Sequence, residues 1–192
     1  MVAALRRLHR HTPDVGASRL GALGEGSTIL EPLDALTNPE FISIGRDFFS
    51  REHIRLESVR ATADSSPGRV FIGDDVHMEG YCSISAADEI RIGNSVLFGA
   101  NVAVRDHDHG YRVPHMHRLR QPLVTAPVSI GDYVWIGQNA VILKGVTLGD
   151  YVVVGANATV TRSFPPWAII GGVPARQIGW ANEAGADAEG SG

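Results

Sequence analysis

From Ile130 to Pro165 the apolar positions of this chain recur every six residues. Ile130, Ile136, Ile142, Leu148, Val154 and Val160 hold the first slot of successive hexads. Gly131, Gly137, Gly149 and Gly155 hold the second slot, interrupted by Leu143 and Thr161. The fifth slot is Val134, Ala140, Val146, Val152 and Ala158, and Phe164 breaks it last. An α-helix would smear this period around its surface, whereas a chain that turns a corner every six residues satisfies it directly. The first and fifth slots then point into a shared core, and glycine serves the tight backbone at each corner. The pattern predicts an all-β fold, a parallel β-helix in which three short strands close one triangular coil and stacked coils hydrogen-bond to one another.

The same rule organises the chain upstream, less strictly. Ile72 to Glu89 reads as one coil (IGDDVH, MEGYCS, ISAADE), and Ile90 and Arg91 then shift the register. Ile92 to His109 forms the next coil (IGNSVL, FGANVA, VRDHDH). Between Thr28 and Gly68 only fragments are legible: Ile44-Gly45 with Phe48, then Ile54 and Leu56, then a loop over Thr62–Gly68. The period stops over residues 110–129, a long loop that in a compact repeat is functional or disordered. Three regions follow: an N-terminal arm or cap over 1–27, a β-helix domain over 28–180 with the 110–129 insertion, and a disordered acidic tail over 181–192.

Composition narrows the class. The chain has 192 residues and a formal net charge of −4, which argues for one domain and against a nucleic-acid binder. No apolar run is long enough to span a membrane, and Arg6 and Arg7 are not followed by the apolar stretch of a secretory signal. Cys82 is the single cysteine, so there is no disulfide framework; its fifth-slot position makes it a small core residue rather than a nucleophile. The expectation is a cytoplasmic protein.

Candidate chemistry collects where the regular coils give way to the loop. Asp106-His107-Asp108-His109 places each of two imidazoles next to a carboxylate that can orient it, a combination suited to proton transfer near neutral pH. Alternation along an extended strand puts both His on one side and both Asp on the other. A metal site is the competing reading, with ligands drawn from His77, His107, His109, His115 and His117, although their spacing matches no compact zinc motif. Trp135 occupies an outward sixth slot and marks an interaction surface or a subunit interface. Arg162 and Arg176 near the C-terminal end are surface charge or the phosphate-binding end of a groove, and Lys144 is read as solvated.

Taken with the VWIG unit at Val134–Gly137 and the closing GGVPAR at Gly171–Arg176, these features make the chain resemble the hexapeptide-repeat acyltransferases, above all the maltose/galactoside-type and polysaccharide-decorating O-acetyltransferases. The likeness runs from about Ile72 to Ile178. It implies a left-handed β-helix, a homotrimer with each active site between two subunits, and acetyl-CoA as acyl donor with no metal. The acceptor it implies is a hydroxyl of a sugar or glycan precursor. Counting from Asn101-Val102 puts the family's catalytic base on His109, with His107 as competitor. The resemblance places Trp135 at the pantetheine end, Gln138, Ala156 and Thr161 along the arm, and Arg162 and Arg176 at the nucleotide phosphates. Glu79 falls where these enzymes carry an acceptor-site Asn, and Asp106 is placed with it on the acceptor side. An N-acetyltransferase of amino sugars and a γ-carbonic-anhydrase-like metal enzyme are the alternatives on the same fold.

Overall fold

The computed structural model describes residues 19–182, so the expectations for the outermost arm and for the tail beyond 182 lie outside the described residues. Three parallel sheets form the faces of a triangular prism. The first stacks Ala22–Leu23, Ile42–Ile44, Arg69–Ile72, Glu89–Ile92, Val128–Ile130 and Thr147–Leu148. The second runs from Thr28–Ile29 through His77–Met78, Leu97–Phe98, Trp135–Ile136 and Val153–Val154 to Ala168–Gly171, and Arg176–Trp180 closes it antiparallel. The third runs from Ala35–Thr37 through Arg55–Ser58, Ser83–Ala86, Ala103–Arg105 and Val141–Ile142 to Thr159–Val160. Ala22–Leu23 pairs with Ser43–Ile44, so the end of the segment read as an arm already belongs to the first sheet.

The six-residue rule is a rule about this interior. Ile130, Ile136, Ile142, Leu148, Val154 and Val160 are all buried, as are the fifth-slot Val134, Ala140, Val146, Val152 and Ala158. Each fully buried Val, Leu or Ile contributes about 1.5–3 kcal/mol relative to exposure. Cys82 lies in the same core, its Sγ donating to the Gly99 carbonyl at 3.2 Å. Burial pushes this thiol up from its ordinary 9.0 to about 11.

Glycine is needed in the second slot because coils touch there. A Cβ on Gly137 would stand 2.6 Å from the Ala156 backbone nitrogen. The polar residue that follows ties one coil to the next: Asp132 Oδ1 accepts from the Asn94 amide at 2.7 Å, and Asp150 Oδ1 from the Asp132 amide at 2.9 Å. Two further ladders run up the corners. Asn101, Asn139 and Asn157 link side chain to side chain at 2.9 and 3.1 Å, and Tyr133, Tyr151 and Trp167 stack ring on ring. All six hold a left-handed backbone, a conformation Asn tolerates well and which the stacked aromatics here also adopt.

Ile130 pairs with Leu148, eighteen residues on, as three hexads require, but Ile72 pairs with Ile92, twenty residues on. The excess read at Ile90 and Arg91 is absorbed earlier, at the Ala87–Asp88 corner, because Ile90 is itself a buried strand residue. The 110–129 insertion is not a free loop. His107–His109 and Leu123–Thr125 form a two-stranded antiparallel arm, with His107 opposite Thr125. The buried Gln121 fastens its tip, donating to the Val113 and Met116 carbonyls at 3.1 and 3.0 Å.

Candidate active site

The wide Ala87–Asp88 corner exposes two amides that need an acceptor, and Asp106 of the next coil supplies it. Its carboxylate is buried; Oδ1 accepts from Ala87 N at 2.7 Å and Oδ2 from Asp88 N at 2.8 Å. Oδ1 also lies 2.9 Å from His107 Nδ1. The His107 side chain is only 10 % exposed, so the pairing is sheltered from water. With Nδ1 donating to the carboxylate, Nε2 keeps the lone pair that a general base needs.

His107 and His109 line one open cleft of about 630 Å³, as the alternation along their strand requires. The other walls are residues 59–63 and 119–123, which meet where the Leu123 amide donates to the Ala61 carbonyl at 2.9 Å. Asp108 turns the other way and pairs with Lys144 at 2.7 Å, so Lys144 is anchored rather than simply solvated. His109 is exposed, and His115 and His117 lie on the exposed tip of the arm.

The remaining expected site residues are spread over more than one edge of the prism. Trp135 projects outward from the second sheet beside Leu97 and is 53 % exposed. Gln138 and Ala156 are exposed at the corner between the second and third sheets. Glu79 reaches that corner too, paired with Arg51 at 2.9 Å and with His77 at 3.4 Å, on a second cleft with His53 and Tyr81. Thr161 and Arg162 are exposed on the same corner as His107, with the Arg162 guanidinium 5.1 Å from the Phe164 ring centroid. Arg176 is exposed on the final strand, donating to the Ala175 carbonyl. One chain therefore brings together Asp106, His107 and His109, and holds Trp135, Gln138, Ala156 and Glu79 elsewhere.

The histidines of the metal reading are dispersed. His77 pairs with Glu79, His107 with Asp106, and His115 and His117 lie on the arm's exposed tip, and no three metal-binding side chains converge among the described residues. Sequence reading missed two things: the Ala87 and Asp88 amides, signalled only by the register excess, and Arg60 with Arg120 on the cleft wall.

The six-residue repeat that builds this solenoid points to a class, the hexapeptide-repeat transferases. Residues 127–162 match the family described as "Bacterial transferase hexapeptide (six repeats)". Over 151 residues the chain is 32 % identical to the putative lipopolysaccharide biosynthesis O-acetyl transferase WbbJ of Escherichia coli K12, covering 74 % of each. It is 40 % identical over 96 residues to the galactoside O-acetyltransferase of the same organism, covering 49 % of this chain and 45 % of that one. Its fold matches the hexapeptide-repeat acetyltransferase VCA0836 of Vibrio cholerae, solved with acetyl coenzyme A, with a TM-score of 0.57 and 25 % identity over 86 % of this chain and 74 % of that one. The chain belongs to the hexapeptide-repeat acetyltransferases. It is an acyltransferase built on their left-handed parallel β-helix.

Proposed function

We propose that this protein is an acetyl-CoA-dependent O-acetyltransferase that acts on a hydroxyl of a sugar or glycan precursor, with His107 as general base. The observation that carries the base assignment is the 2.9 Å contact between His107 Nδ1 and the buried Asp106. The match to the family's catalytic position points to His109, but His109 has no comparable carboxylate holding its ring. The geometry favours His107, with His109 beside it on the same wall of the cleft.

Acetyl-CoA supplies an acetyl group already activated as a thioester, so this chain has only to deliver a deprotonated hydroxyl to it. Asp106 fixes the tautomer and the ring plane of His107. Nε2 takes the hydroxyl proton as the oxygen attacks, and the imidazolium so formed is stabilised by Asp106 until it releases that proton to the leaving sulfur. Cys82, buried and with a raised pKa, takes no part, in keeping with direct transfer.

Trp135 and Leu97 offer an apolar stripe for the pantetheine, Gln138, Ala156 and Thr161 line its path, and Arg162 and Arg176 meet the nucleotide phosphates. In one chain Trp135, Gln138 and Ala156 face away from His107, while Thr161 and Arg162 share its corner two coils above. A groove containing both sets needs the His107 corner of one copy set against the Trp135 face of another, which supports a homotrimer with sites between subunits. No helix among the described residues is long and apolar enough to cross a membrane. We assign the enzyme to the cytoplasm, where its lone reduced thiol and its donor belong. Sedimentation of the purified protein tests the assembly: a trimer is expected, and a monomer with full activity contradicts it.

A further inference from the structure

The cleft in front of His107 carries a charge pattern that the acetyl-transfer reading does not use. Its lining includes Arg60 from one wall and Arg120 from the other, together with both imidazoles, and no acidic residue is among them. The nearby carboxylates are directed elsewhere: Asp106 is buried against two amides and His107, and Asp108 is paired with Lys144. Asp64 and Asp88 are exposed outside the lining. The two arginines are set on braced backbone. Arg60 donates to the Ser65 carbonyl within its own excursion, Gln121 fastens the turn beside Arg120, and the Leu123–Ala61 hydrogen bond clamps the two walls together.

Position along the prism separates this charge from the donor's. At the corner between the third and first sheets, His107 follows Ala103–Arg105, Arg60 follows a strand two coils below, and Arg162 follows a strand two coils above. Two coils correspond to roughly 10 Å. Arg162 therefore lies on the side assigned to the CoA nucleotide, and Arg60 with Arg120 on the opposite, acceptor side.

Resting on the acetyltransferase reading, we propose that the acceptor is anionic: a sugar bearing a phosphate or a carboxylate, held by Arg60 and Arg120 so that a hydroxyl reaches His107. Guanidinium groups suit both anions because their paired N–H donors match the oxygens of either. A neutral glycoside leaves these charges unused.

The test has two readouts. Inorganic pyrophosphate is titrated into the wild-type trimer while the ring resonances of His107 and His109 are followed by NMR. Saturable shifts are expected, and R60Q/R120Q should weaken the apparent affinity about tenfold or more. Acetyl transfer from acetyl-CoA is then compared for a neutral methyl hexoside, a hexose phosphate and a hexuronate. The anionic acceptors are expected to have the higher kcat/KM, and R60Q/R120Q should erase that advantage, about 10- to 100-fold, while sparing the neutral one. The better of the two anions identifies phosphate or carboxylate. Absence of pyrophosphate binding, or equal losses on every acceptor, overturns the proposal. It is also overturned if the variant's defect disappears with 3′-dephospho-acetyl-CoA, since the arginines would then serve the donor. If R60Q/R120Q does not fold, wild-type kinetics decide: pyrophosphate inhibition competitive with the acceptor supports the proposal, and inhibition competitive with acetyl-CoA overturns it. H107A separates the two readings, because persistent transfer by that variant rejects the base while leaving the anion site standing.

Discussion

Asp106 Oδ1 lies 2.9 Å from His107 Nδ1 and 2.7 Å from the Ala87 amide nitrogen, so one carboxylate oxygen joins the imidazole to the neighbouring coil. The stiffness of the solenoid reaches the reactive ring through that atom.

Replacing this carboxylate by its amide tests the coupling. Asp106→Asn must turn an NH2 group toward an amide donor or toward His107, leaving a buried donor without a partner. We expect a loss of about 1–3 kcal/mol in stability. We also expect kcat to fall by about 10²-fold or more with little change in KM for acetyl-CoA. A variant with normal turnover rejects Asp106 as the positioning group.

Gly137→Ala places a methyl 2.6 Å from the Ala156 nitrogen, a backbone atom that cannot swing aside. The coils must separate locally, and a lower thermal midpoint is expected. Ile142→Ala instead leaves a cavity in the core and should cost about 2–5 kcal/mol in chemical denaturation. Wild-type stability in either variant contradicts the packing described.

Cys82 links the core to pH. Its folded pKa of about 11 exceeds the ordinary 9.0, so the unfolded chain releases this proton first. Its contribution is intact below pH 9 and declines as pH rises toward 11. Denaturant midpoints should fall over that window, less so in Cys82→Ala after correction for its own lower stability. In the native state at neutral pH the thiol should resist disulfide reagents; rapid labelling contradicts its burial.

Trp135 is more than half exposed, so Trp135→Ala should leave folding unchanged. Its effect is expected in donor binding, with KM for acetyl-CoA raised about tenfold, as for a lost stacking surface. Arg162→Ala should act in the same direction, and less on 3′-dephospho-acetyl-CoA. An unchanged KM in both variants removes these two residues from the donor groove.

The legibility of this fold follows its periodicity. From Ile130 to Val160 each slot has one environment, so the sequence repeats what the geometry repeats. Below Ile72 the coils are equally regular in space, but strands such as Thr28–Ile29 and Phe49–Ser50 are joined by corners of unequal length, which hides the period. The antiparallel arm was illegible for another reason: its strands have three residues each, and its tip, residues 111–120, is exposed and carries no burial pattern. The Asp106–His109 tetrad stood out by composition. The distinction between its two imidazoles did not, because it depends on a buried partner and on two amides nineteen and eighteen residues upstream.

The most direct test is acetyl-CoA-dependent thiol release with a sugar acceptor, comparing His107→Ala and His109→Ala in variants that still bind CoA and keep the native circular dichroism. We expect a fall in kcat of about 10²- to 10⁴-fold for His107→Ala and less than about tenfold for His109→Ala. Near-normal turnover by His107→Ala, or the larger loss at His109, contradicts it.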